Sequence, residues 1–106
     1  MILENYIDNM NKSDFEGIAQ LFAEDCHLDD GGARPLGVAD LVVDGREALK
    51  AAFKAVWEQY QVHAEIVKLN PNSMEYDVFL GELKLPCVGC ATMKDGLIAE
   101  YIVRPR

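Results

Sequence analysis

The chain has 106 residues and a net charge of −8, from 18 acids against 10 bases. The bases are scattered, which argues against a nucleic-acid backbone or an anionic membrane surface as partner, since both are held by clustered Lys and Arg. Half of the residues are hydrophobic, enough for the core of a single domain spanning residues 1–106. No apolar run approaches the roughly 18 residues of a membrane span, and no secretory signal is visible. A soluble cytoplasmic protein is the expectation, and Cys26, Cys87 and Cys90, an odd set, fit reduced thiols.

Ile2, Leu3, Tyr6, Ile7 and Met10 recur at helical spacing and predict a helix over 2–11. Ser13 stands three residues before Glu16, a capping-box arrangement. It opens a second predicted helix, whose stripe of Phe15, Ile18, Leu21 and Phe22 runs to about Glu24. Cys26 to Asp30 then reads as a short strand, with Cys26, Leu28 and Asp30 on one face and His27 and Asp29 on the other. Gly31 and Gly32 end it, and residues 31–44 form a long connection with a brief strand at Leu41 to Val43. Asp44, with Glu47 three residues on, starts a third helix, in which Leu49, Ala52, Phe53, Val56, Trp57 and Tyr60 keep helical spacing.

From Val62 the pattern changes to alternation, and strands are predicted near 62–69, 74–80, 83–93 and 97–104. The segment Asn70-Pro71-Asn72-Ser73 is a turn by composition, Gly81-Glu82 a weaker one, and Asp95-Gly96 a hairpin signal. Three helices followed by a four-stranded meander define an α+β domain. A sheet of that size curls, and helices over its concave side leave a pocket at the open end, suited to a small apolar ligand. Ile66, Val78, Val88 and Ile102 are expected on the opposite face, leaving it apolar.

The motifs Asp14-Phe15-Glu16-Gly17-Ile18 with Leu21-Phe22-Ala23-Glu24-Asp25, then Asp44-Gly45-Arg46-Glu47-Ala48-Leu49, then Asp95-Gly96-Leu97-Ile98 carry a resemblance. In order and spacing the chain resembles the nuclear transport factor two-like superfamily of SnoaL-type polyketide cyclases and ketosteroid isomerases. The resemblance implies a cone-shaped α+β fold, three N-terminal helices on a curved, mainly antiparallel sheet, and a homodimer paired through the sheet. Against ketosteroid isomerase, Tyr6 matches a tyrosine that donates to the developing oxyanion and Asp30 an aspartate that moves the proton. The isomerase's second, protonated acid falls near Gly89 here, and Phe22 and Phe53 stand where it has further tyrosines.

Tyr6 and Asp30 are therefore the candidate catalytic residues, and Phe22, Phe53, Trp57 and Tyr101 the candidate ligand-binding residues. A carboxylate at the mouth of an apolar pocket loses hydration and becomes more basic. A phenol across the cavity stabilises an enolate oxygen, and together the two suit proton abstraction next to a carbonyl. Asp29 takes the inward place if the strand register slips by one.

The pair Cys87 and Cys90 has the spacing of redox and zinc motifs, but in a strand residues three apart face opposite sides. No metal or cofactor is expected. Alternation sets His27 away from Asp30, and Arg34 and Arg46 flank the long connection as solvated groups. A non-catalytic ligand-binding protein and a dimeric assembly domain are the alternatives on the same scaffold.

Overall fold

The computed structural model describes all 106 residues. Helix α1 spans Ile2–Asn11 and buries the predicted stripe of Leu3, Tyr6, Ile7 and Met10. Ser13 turns the chain with a positive φ of 54°. Asp14, rather than Ser13, caps helix α2, Phe15–Ala19, by accepting the Gly17 N–H at 2.8 Å. Helix α2 is shorter than its sequence pattern predicts. Phe22 to Asp25, assigned to it by that pattern, instead open strand β1, Phe22–Asp30. Gly17 weakens a longer helix, and Ile98 N–H donates to Leu21 O at 2.9 Å, drawing the segment onto the last strand.

A short 3₁₀ turn at Arg34–Leu36 and strand β2, Leu41–Asp44, occupy the long connection. Helix α3 spans Arg46–Gln59 and begins after Gly45, which caps it at φ 93° in place of the predicted Asp44. The Asp44 carboxylate instead meets His27 Nδ1 at 2.6 Å. Strands β3 (Val62–Leu69), β4 (Ser73–Leu80), β5 (Leu83–Lys94) and β6 (Leu97–Pro105) form the predicted meander. Asp95 and Gly96, at φ 53° and 80°, make the tight turn between the last two.

The sheet has six strands rather than four, in the order β2-β1-β6-β5-β4-β3. Strand β1 runs parallel to β6 and antiparallel to β2, and all other pairs are antiparallel. The edge strand β3 is tied to α1 by a reciprocal pair: Asn11 Nδ2 donates to Ala64 O at 2.9 Å and Ala64 N–H donates to Asn11 Oδ1 at 2.7 Å. One amide side chain thus satisfies both free backbone groups of that edge residue.

The concave face of the sheet and the buried stripes of the helices share one core, in which Tyr6, Phe22, Leu28, Tyr76, Tyr101 and Val103 are almost fully buried. The convex face differs from expectation. Val88 and Ile102 pair with Arg104 and Cys90 there, but Val78 lies on the concave side, and Ile66 pairs in register with buried Tyr76. Half of the apolar patch expected on the convex face is therefore on the other side. Ion pairs fill much of what remains: Arg104 to Asp29 at 3.0 Å, and Arg106 to Asp77 at 3.1 Å.

Candidate functional site

The open end of the cone holds a cavity of about 370 Å³, within the size range of small-molecule sites. Its floor is the concave sheet, with Tyr76, Val78, Leu85, Cys87 and Val103. One wall is α3, which supplies Phe53, Val56 and Trp57, and Tyr60 just beyond it closes that side. The other wall is the connection after β1, from Gly32 to Leu41. Phe53 and Trp57 are stacked, with ring centroids 5.1 Å apart and planes 18° apart. Exposed Leu36, Val38 and Tyr60 give the mouth an apolar rim.

Asp30 lies at the end of β1, where the predicted alternation puts it inward beside Val103 of β6. Its partial exposure is to the cavity. Burial raises its pKa, an effect that Asp40 strengthens and that the Gly32 N–H and Arg104 oppose. The Gly32 N–H to Oδ1 contact, 2.9 Å, is the one hydrogen bond to this carboxylate, and no salt bridge reaches it. Gly32 allows this close turn: a Cβ there would lie 2.9 Å from Cys87 Sγ and 3.1 Å from Asp30 Oδ1. Asp29 faces the convex side and is held by Arg104, so the one-residue slip does not occur.

Asp40, also on the cavity wall, is neutralised. Arg34 donates to both of its oxygens, at 2.9 and 2.7 Å, and holds its pKa low. No Lys, Arg or His lines the cavity. Asp30 is its one charged group without a counter-ion.

Of the six predicted site residues, Asp30, Phe53 and Trp57 line the cavity. Tyr6, Phe22 and Tyr101 are fully buried behind its wall. Their rings form one cluster: Tyr6 stands 4.9 Å from Tyr101 and 6.2 Å from Phe22, centroid to centroid. The Tyr101 hydroxyl lies over Gly89, where any Cβ would collide with it, and donates to the Tyr76 hydroxyl at 3.3 Å. Gly89 therefore cannot be replaced by an acid without expelling a tyrosine. The Tyr6 hydroxyl is buried with no hydrogen-bond partner. Burial raises its pKa well above the ordinary tyrosine value, and Tyr101, Asp30 and Cys87 add to the shift.

Tyr76 is the functional candidate that sequence reasoning missed. It is buried, lines the cavity and shares a hydroxyl–hydroxyl hydrogen bond with Tyr101, and its phenol can turn to donate to a ligand. A signal was present in β4: Glu75 and Asp77 mark the outward parity, which leaves Met74, Tyr76 and Val78 inward. Cys87 also lines the cavity, while Cys90 is exposed on the opposite face. Burial pushes the Cys87 thiol up to about 12, so it is no thiolate nucleophile near neutrality. No three His, Cys, Asp or Glu side chains converge as a metal site. His27 pairs with Asp44, His63 is exposed beside Glu65, and Arg46 donates to Phe22 O at 3.0 and 2.8 Å. No helix is long and apolar enough to cross a membrane.

A curved mixed sheet, three helices across its hollow side and an apolar cavity at the open end define a cone of the nuclear transport factor two-like superfamily. The SnoaL-like domain profile matches residues 3–101, and the chain belongs to that family. No curated protein matches its sequence. Among solved structures, an uncharacterised cystatin-fold protein from Novosphingobium aromaticivorans superposes with a TM-score of 0.82 at 15% identity, over 97% of this chain and 94% of the other. A candidate polyketide cyclase from Sinorhizobium meliloti gives 0.77 at 19% identity, over 97% and 93%. A candidate ketosteroid isomerase from Kribbella flavida gives 0.74 at 19% identity, over 96% and 73%. At these identities the likeness shows the fold alone.

Proposed function

We propose that the protein binds a small apolar molecule in the cone and that Asp30 acts there as a general base on a proton next to a carbonyl. The observation that carries this reading is a carboxylate with one hydrogen bond and no counter-ion, facing a mainly apolar cavity whose other carboxylate, Asp40, is paired with Arg34. Loss of hydration makes such a group more basic, and an apolar wall keeps competing water out. The developing enolate oxygen needs a donor. Tyr76 offers one from the cavity floor, where its hydroxyl also meets that of Tyr101. Tyr6, although its hydroxyl is unpartnered, is buried behind the wall and does not line the cavity. Neutral phenols with raised pKa values stay protonated and so can donate.

The test is deuterium incorporation from heavy water at the α-carbon of β,γ-unsaturated cyclic ketones. The chain should exchange faster than buffer and Asp30→Asn should fall to the buffer rate, since a positioned base contributes about 100- to 10,000-fold. Exchange by Asp30→Asn at the parent's rate would overturn the base assignment. A second reading, a non-catalytic carrier, is favoured by Gly89, whose position is closed to a second acid by Tyr101. Tight binding of a neutral apolar probe with exchange at the buffer rate would select it.

A further inference from the structure

We propose that the molecule held in this cavity carries an amine, and that Asp30 is its counter-ion. The inference rests on the cavity being a small-molecule site, but not on Asp30 being a base. It starts from an imbalance of charge. Two carboxylates face the cavity, from Asp30 and Asp40, and no basic side chain does. Arg34 answers Asp40 with a two-point pair at the rim. Arg104, the one cation that acts on Asp30, is paired with Asp29 at 3.0 Å on the far side of the sheet. Asp29 and Asp40, each held by its own arginine, bring no cation to Asp30. The chain as a whole, at −8, adds to the same field.

A largely buried carboxylate with a single backbone donor is costly, and a cation that enters with an apolar body offsets that cost. The walls suit such a body and such a charge. Phe53, Trp57, Tyr60 and Tyr76 present aromatic surface to the cavity, which attracts cations as well as apolar groups. A carboxylate ligand would meet the opposite: like charge at Asp30 and no donor cation. The site is thus selective by charge, in the order amine, neutral alcohol or ketone, acid.

The experiment uses three rigid probes of one shape: 1-adamantanemethylamine, 1-adamantanemethanol and 1-adamantanecarboxylate. Binding is read by calorimetry and by the fluorescence of Trp57, the one tryptophan in the chain. At pH 7 the amine should bind at least about tenfold more tightly than the alcohol, the margin of a charge-assisted over a neutral hydrogen bond, and the acid should not bind. Asp30→Asn should erase the amine's advantage while leaving the alcohol's affinity within about threefold, which shows the cavity intact. Should that variant fail to fold, acidification of the parent chain gives the same readout. The amine's advantage should fall as Asp30 takes up its proton, with the amine charged throughout. Equal binding of amine and alcohol overturns the proposal and leaves the apolar-site reading standing. Binding of none of the three overturns both.

Discussion

Replacing Tyr6 by phenylalanine separates what its hydroxyl does for the fold from what it does for a ligand. In the folded chain that oxygen is buried without a partner. An unsatisfied buried hydroxyl costs about 1–3 kcal/mol, and its removal leaves a void of only one atom among the rings of Phe22, Phe53 and Tyr101. The variant should therefore be more stable, by about 1 kcal/mol net of that small void, or about 4 °C in Tm for a domain of this size. Urea and thermal melts followed by circular dichroism measure this directly. The same variant should leave the exchange rate of a ketone near the parent's, because Tyr6 is buried behind the cavity wall and does not line it. Stability thus moves while activity does not. A loss of about 1 kcal/mol or more would show that the hydroxyl is already satisfied in the free protein, and the reasoning from its lack of a partner would fail.

Asp30→Asn should stabilise the chain at pH 7 and not at pH 3. Burial raises the folded pKa above the unfolded one, so the ionised group destabilises the fold increasingly as pH rises through that window, and the difference closes once both states are protonated; melts of both chains across pH check it. His27 behaves oppositely. The Asp44 carboxylate raises its folded pKa above the ordinary 6.5, so its contribution is present below 6.5 and lost as pH rises through the higher folded value, and a nuclear magnetic resonance titration of the ring should return to the ordinary value in Asp44→Asn. Gly89→Ala should cost about 1–3 kcal/mol by overpacking against Tyr101 and should disturb the Tyr101 to Tyr76 hydrogen bond, seen as a shift in the tyrosine ultraviolet spectrum. Asn11→Ala should cost about 1–3 kcal/mol in urea melts, since Ala64 N–H and C=O both lose their partner.

Much of the cone is written in local pattern. The α1 stripe, the α3 stripe and the Asp95-Gly96 turn each depend on neighbours a few residues apart, and each stands where the sequence places it. The start of β1 does not. Phe22 to Asp25 continue a helical stripe and contain good helix formers, and only pairing with β6, some 76 positions along at Phe22 and Ile98, makes them a strand. The inward place of Asp30 was legible because two-residue alternation runs unbroken from Cys26. The mistake over Val78 and Tyr76 was one of parity: both sets of β4 side chains contain apolar residues, and the outward carboxylate of Asp77 that decides between them is stabilised by Arg106, 29 residues away. Tyr101 stands on the concave side but does not line the cavity, and its cover by the helices and its reach over Gly89 are packing facts that no single strand encodes.

The measurement that bears most directly on the site is a carbon-13 titration of the Asp30 carboxyl, with and without bound 1-adamantanemethanol. A carboxylate facing an apolar cavity without a counter-ion titrates above the ordinary 3.8, and rises further when a neutral probe displaces water from beside it. A carboxyl that titrates at or below 3.8 and ignores the probe would contradict the account.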